Sequence, residues 1–193
     1  MFLIDMVPLA NKNLSMKKGG FTLVEMLVAV SILVVAIGAP LFIAARGINL
    51  AITTKDRITA TFLAEEAMEL IRNRRDSNIL KIVAGIQPPS FWSNGFLACS
   101  GAGGCYIDVY QTGGIFPCTS PCPRIINFVE VGTSPNIERK YGDSFSTSSK
   151  FTRSVVYVPG PSAYEGTIYV TVSWDENGQP LNVTLQELIY SWQ

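Results

Sequence analysis

The stretch MKKGGFTLVEMLVAVSILVVAIGAPLFIAAR, residues 16–46, decides how the rest of this chain is read. From Phe21 to Ala45 it carries one charge, Glu25, and two hydroxyl side chains, Thr22 and Ser31. As a helix rising about 1.5 Å per residue, those residues span roughly 37 Å, enough to cross a hydrocarbon core of about 30 Å. Lys12, Lys17 and Lys18 lie before the run and Arg46 follows it. The lysines next to the apolar segment predict a cytoplasmic N-terminus and a translocated C-terminal region. The run is longer than the apolar core of an ordinary secretory signal, so it is expected to survive in the mature protein. No cysteine lies near it to serve as a lipidation site.

Working outward, the 193 residues are 48% hydrophobic and 16% charged, with fifteen basic and fifteen acidic residues and no histidine. A chain of this size builds one sizeable core, so one globular domain with an appendage is expected. The mean hydropathy of +0.27 is high, and most of the excess sits before residue 46. With charge balanced there is no basic footprint to draw the domain onto phosphate backbones, and no nucleic-acid partner is indicated.

Four segments follow from this reading. Residues 1–20 form a leader, with Met16 a candidate for the true start, because Met16-Lys17-Lys18-Gly19-Gly20 is by itself a complete short basic leader. Residues 21–45 form the transmembrane helix. Residues 46–80 continue it as an amphipathic helix, with Ala60, Leu63, Ala64, Ala67, Leu70 and Ile71 repeating at three and four residues on one face. Glu69 with Arg72, and Arg72 with Asp76, have the spacing to pair on the opposite face. Gly38 and Pro40 interrupt the first half. Proline removes a helical hydrogen bond, so this point is either a tolerated membrane-helix proline or a hinge.

Residues 81–193 complete the globular part. From Gly85 to Lys150 the chain is rich in Gly, Pro, Ser and Asn and reads as a loop-rich layer, with short extended stretches at 105–110 and 125–131. Residues 151–158, 167–174 and 181–185 read as strands. In the middle one, Ile168, Val170, Val172 and Trp174 alternate with Tyr169, Thr171 and Ser173. Asp175-Glu176-Asn177-Gly178 supplies hairpin-turn chemistry. Residues 186–192 are a short helix or a continuing strand. The fold class is therefore α+β: a long N-terminal helix, membrane-spanning in its first half, packed on a C-terminal antiparallel sheet of three or four strands.

Around the start of the apolar run, glycine at position 20 lets the backbone lie extended in a protease cleft, having no Cβ to clash. Glu25 is a carboxylate inside a membrane segment, which costs on the order of 2.5 to 3.5 kcal/mol and calls for a partner. The run itself holds no lysine or arginine. Cleavage after Gly20 would create a cation, the Phe21 amine, close to Glu25 in sequence. Between neighbouring copies the same amine and carboxylate could pair and fix axial register while apolar faces supply adhesion.

The segment Lys17-Lys18-Gly19-Gly20-Phe21-Thr22-Leu23-Val24-Glu25 resembles the processing motif of type IV prepilins and type II secretion pseudopilins. The resemblance implies the pilin fold and cleavage between Gly20 and Phe21 by a membrane-embedded prepilin peptidase, which also methylates the new N-terminal Phe21. It also implies that Glu25 is the assembly glutamate. The partners implied are other pilin or pseudopilin subunits, the peptidase, the inner-membrane assembly machinery and the membrane itself. Localisation would be the inner membrane, single-pass, before incorporation into an extracytoplasmic filament. Leu63-Ala64-Glu65-Glu66-Ala67-Met68-Glu69-Leu70-Ile71-Arg72 is similar to the helix of minor pilins of the PilV and GspI type. Phe151-Thr152-Arg153, Thr171-Val172-Ser173-Trp174 and the closing Trp192 are similar to their sheet. The reading is a minor type IV pilus subunit, with a secretion pseudopilin or a membrane-anchored binding domain as alternatives.

Cys99, Cys105, Cys118 and Cys122 all fall in the translocated part, where two disulfides of open connectivity are the simplest expectation. Zinc is the competitor, but neither near pair has the two-residue gap of a zinc knuckle. Asp175 to Gly178 has calcium-like oxygen spacing without the rest of a binding loop. Trp92, Trp174 and Trp192 read as core or membrane-proximal packing. With no histidine and no convergent carboxylate pair, the sequence offers no catalytic residues, no metal site and no cofactor site. The protein reads as the substrate of an enzyme.

Overall fold

In a computed structural model of the chain, the described residues are 19–101, 103–112, 114–119 and 123–191. Residues 1–18 of the leader, with Lys12, Met16, Lys17 and Lys18, lie outside them, as do Cys122 and Trp192. By its contacts the chain divides into two units, Met1–Ile48 and Asn49–Gln193. The helix α1, Leu23–Val83, supplies the described helical part of the first and the only α-helix among the described residues of the second.

In the second unit the predicted stripe faces inward: Ala60, Leu63, Ala64, Ala67 and Ile71 are buried, joined by Met68, while Leu70 is partly covered at the edge. The three alanines leave little side-chain bulk on this face. Below it lie seven strands: β1 Cys105–Ile107, β2 Ile115–Pro117, β3 Arg124–Thr133, β4 Asn136–Gly142, β5 Thr147–Pro159, β6 Glu165–Glu176 and β7 Gln179–Tyr190. All pairings are antiparallel. β5 is central, with β6 and then β7 on one side, and with β1–β2 and β3–β4 sharing the other.

The α+β arrangement is as expected, but the sheet is larger than three or four strands. β4, NIERKYG, is exposed over most of its length and lies at an edge, so it needs no alternation of polar and apolar residues. Its pairing with β3 is reinforced from the solvent side by Arg139 donating to Glu130 at 2.8 Å. The stretch read as loop thus contains four strands, and residues 186–190 continue β7 as strand.

The core is built where the alternation is strong. Ile168, Val170, Val172 and Trp174 of β6 point inward with Phe151, Val155 and Tyr157 of β5 and Ile189 of β7. Two 3-10 turns, Pro89–Ser93 and Leu97–Ser100, add Trp92 and, just ahead of the second, Phe96. These two rings and Tyr157 meet edge to face at 5.5 to 6.5 Å, an arrangement that suits the aromatic quadrupole. Trp92 also donates its indole N–H to the Ala163 carbonyl at 2.9 Å.

Two local expectations have different outcomes. The β6–β7 hairpin turns as expected, with φ of 54° at Asn177 and 79° at Gly178. Both central residues are left-handed, as a type I′ turn requires. Arg72, however, pairs with Glu69 at 3.2 Å and with Glu187 of β7 and not with Asp76, which is taken by Arg75 at 2.8 Å. A bidentate partner across the helix–sheet contact outcompetes a neighbour one turn along.

Ile71→Ala should cost about 2 to 5 kcal/mol, because Ile71 is fully buried between α1 and the sheet and the vacated volume cannot collapse. Denaturant titration of tryptophan fluorescence in the detergent-solubilised protein measures it. A change below about 1 kcal/mol would show that the helix–sheet contact is looser than drawn.

Candidate processing and assembly site

Gly19 to Thr22 precede the helix, which opens at Leu23. The Thr22 hydroxyl accepts a hydrogen bond from the Glu25 backbone N–H at 3.2 Å, and the Thr22 carbonyl accepts from Met26 N–H at 3.2 Å. Thr22 is therefore the N-cap, and threonine followed three residues later by glutamate is the capping-box spacing. Glu25 also lies in the first turn, where a carboxylate is favoured by the helix dipole. The spacing of Thr22 and Glu25 is the signal in the sequence that marks this cap.

The Gly20–Phe21 bond thus sits outside the helix, in non-helical backbone. A Cβ built on Gly19 or Gly20 would meet nothing within 4 Å. Neither glycine is required by the fold at that point, so a demand for glycine there has to come from whatever reads the segment. Phe21 itself is exposed.

Beyond the cap, every large apolar side chain from Leu23 to Ile43 is more than half exposed. None of the most apolar window is buried. An uncovered surface of that extent requires lipid or other protein. Its polar groups are already satisfied or placed at its ends. Ser31 returns its hydroxyl to the Val28 carbonyl at 2.8 Å, and the Arg46 guanidinium stacks over the Phe42 ring at 4.8 Å. Glu25 has no ion-pair partner among the described residues. Gly38 and Pro40 lie within α1, whose helical assignment continues across both, and the space around Gly38 is open.

Residues 15–39 match a family model described as the prokaryotic N-terminal methylation motif. This chain carries a prepilin-type processing motif. The matched span takes in Lys17, Lys18, Gly20, Phe21 and Glu25 and closes just before Pro40. It supports a pilin-like or pseudopilin protein processed at its N-terminus, anchored in a membrane and assembled with other pilin subunits. Proteins of that kind are structural and not enzymatic. No curated protein and no solved structure matches the chain.

In the second unit, the polar groups of the core hold the fold together. Arg153, on β5 and 3% exposed, donates to the Leu63 carbonyl at 2.8 Å, to Glu66 at 2.9 Å and to the Ile107 carbonyl at 2.6 Å. One guanidinium thereby ties the helix to β5 and β1. Asp56 and Lys150 form a second helix–sheet pair. Asn78 donates its amide to the Trp92 and Asn94 carbonyls. Cys99 and Cys105 form a disulfide joining the second 3-10 turn to β1, and Cys118 is also disulfide-bonded. The Asp175 carboxylate accepts from Gly178 N–H at 2.8 Å, so it is engaged in closing the hairpin.

Asp108, fully buried after β1, organises two loops at once. Its carboxylate accepts from Tyr110 N–H at 2.9 Å, from Ser144 N–H at 2.8 Å and from the Ser144 hydroxyl at 2.5 Å. Burial pushes this carboxyl up, but the hydrogen bonds from Ser144, Tyr110 and Gln111 together outweigh it and hold the group below its ordinary value. A carboxyl depressed in the folded state stabilises above its unfolded pKa of about 3.9, and that stability is lost as pH falls through the folded value. Asp108→Asn should cost about 1 to 3 kcal/mol at neutral pH, since its amide N–H would face the donor of Ser144. It should also flatten the acid limb below about pH 4. Thermal melts between pH 3 and 7 would expose an error if the variant kept the wild-type acid limb.

Proposed function

We propose that this chain is a structural, minor subunit of a type IV pilus, cleaved after Gly20, methylated on Phe21 and assembled through the N-terminal half of α1. The observation that carries the reading is the coincidence of the methylation motif over residues 15–39 with a capped helix whose apolar surface is left uncovered. Before processing it is a single-pass protein of the inner membrane with a cytoplasmic N-terminus. Afterwards it enters an extracytoplasmic filament.

In this reading each feature of the N-terminal segment has a part. Gly20 leaves the scissile bond accessible to the peptidase. Cleavage turns the Phe21 nitrogen from an amide into a cation near Glu25. The exposed run from Leu23 to Ile43 moves from lipid to the equivalent runs of neighbouring subunits, one apolar environment being exchanged for another. Gly38 and Pro40 supply the point at which the helix can loosen while packing. The pairing of an incoming Phe21 amine with a placed Glu25 then sets register. A type II secretion pseudopilin would use the same features. Finding the chain in sheared surface pili, with secretion intact in its absence, would select the pilus.

Gly20→Val should leave the full-length precursor in the membrane and none in filaments. N-terminal sequencing and mass spectrometry of membrane and filament fractions read both; an uncleaved variant in filaments at the wild-type level would mean that assembly does not need cleavage after Gly20, and a wild-type chain that is neither cleaved nor found in filaments would mean that the helix is a plain anchor. Glu25→Ala should leave cleavage largely intact and abolish incorporation. If the cleaved variant entered filaments at the wild-type level, the register role of the carboxylate would be lost.

A further inference from the structure

In the globular unit, Arg153, Val155 and Tyr157 of β5 are buried on the side of the sheet that meets α1. The side chains between them point the other way. On that outward side stand positions 152, 154, 156 and 158 of β5, 167, 169, 171 and 173 of β6, and 182, 184, 186 and 188 of β7, all of them half-buried or exposed. None of them carries a charge. Val156, Val158 and Leu188 are aliphatic, Asn182 and Gln186 are amides, and every other position bears a hydroxyl. Strand formation does not demand this, since β4 carries Glu138, Arg139 and Lys140 in succession. Pairing sets the outward side chains in rows across the three strands, among them Ser154–Thr171–Thr184 and Val156–Tyr169–Gln186. The Thr171 and Thr184 hydroxyls bond each other at 3.0 Å, which uses one of their two protons. The hydroxyls of Ser154 and Tyr169 have no hydrogen-bond partner among the described residues. At the β1 margin the face meets the stacked rings of Tyr106 and Phe116, 5.1 Å apart, where the guanidinium over Tyr106, that of Arg124, is already paired with Asp143 at 2.9 Å.

We infer that the outward face of β5, β6 and β7 is a binding surface for an uncharged polysaccharide. Such a chain presents many hydroxyls, each both donor and acceptor, and a pyranose ring also has an apolar C–H face. The sheet answers the first with hydroxyl and amide rows and the second with Val156 and the ring of Tyr169, which has an apolar body and a polar tip. Other partners fit less well. Nucleic acid or an anionic lipid headgroup needs cations, and this face has none. An ordinary protein surface is about 25–35% charged, and those charges would lose water here without gaining a counter-charge. The surface lies opposite the side of the sheet that α1 covers, so contacts made through α1 leave it open. The inference goes beyond the filament reading, and its binding test does not depend on that reading.

The test is retention of the full-length protein, solubilised in a detergent without sugar headgroups, on microcrystalline cellulose, on chitin and on alginate, an anionic polysaccharide. Retention is expected on at least one of the two uncharged matrices, and it should not fall between about 0.05 and 0.5 M salt, where exposed charge pairs are screened. Thr184→Lys and Gln186→Glu, both at exposed positions, should each lower that retention at least tenfold with an unchanged thermal melt, because a charge of either sign is unmatched there. Tyr169→Ser should lower it in the same way, and Glu65→Gln on the exposed side of α1 should leave it alone. No retention on cellulose or chitin would overturn the inference, as would retention on alginate alone or retention that salt abolishes. Binding that survives both charged substitutions would place the site elsewhere and overturn it too. Exclusion of Thr184→Lys from filaments that accept the wild-type chain would mean that neighbouring subunits cover this face, which removes the inference and leaves the filament reading standing.

Discussion

One helix has to satisfy two solvents, and most of this structure follows from that constraint. Past residue 49, α1 is amphipathic and buries an alanine-rich face on the sheet. Before residue 49 it is apolar all round and buries nothing. A single secondary-structure element therefore carries both the fold and the address. The sheet can specify only the part it touches. The rest is left for lipid or for other chains.

The buried charges show how firmly the touching part is specified. A guanidinium as enclosed as that of Arg153 would be costly if it lacked partners. It has three acceptors, on α1 and at the end of β1, and so sets the height of the helix over the sheet. Asp108 does the same for the loops, drawing the β1–β2 connection and the β4–β5 turn onto one carboxylate. These contacts compensate for the shortness of β1 and β2, three residues each, and for the small apolar content of β4. They let a region with little core of its own hold a definite shape.

What was legible in the sequence was what repeats. The three-and-four spacing from Ala60 to Ile71 and the alternation through Ile168, Val170, Val172 and Trp174 both report burial, and both faces lie in the core. Asn177-Gly178 reports a backbone need, and both residues have positive φ. β3 and β4 were not legible as a hairpin. Most of their side chains face solvent, and their pairing depends on cross-strand partners such as Glu130 and Arg139 that no period announces. The Arg153 network was hidden for a related reason. It joins residues far apart in sequence, and only the folded chain brings them together. At residues 15–39, by contrast, residue types and order are local, and the methylation motif was legible there.

The cap at Thr22 bears on the energetics of maturation. Both of the first hydrogen bonds of α1, to the Thr22 hydroxyl and to its carbonyl, are drawn from residues on the far side of Gly20 from the leader. The helix does not lean on the leader for its start. Cleavage before Phe21 would leave both of these acceptors in place and put a cation one residue ahead of the cap, where the helix dipole opposes it and Glu25, in the first turn, offsets it.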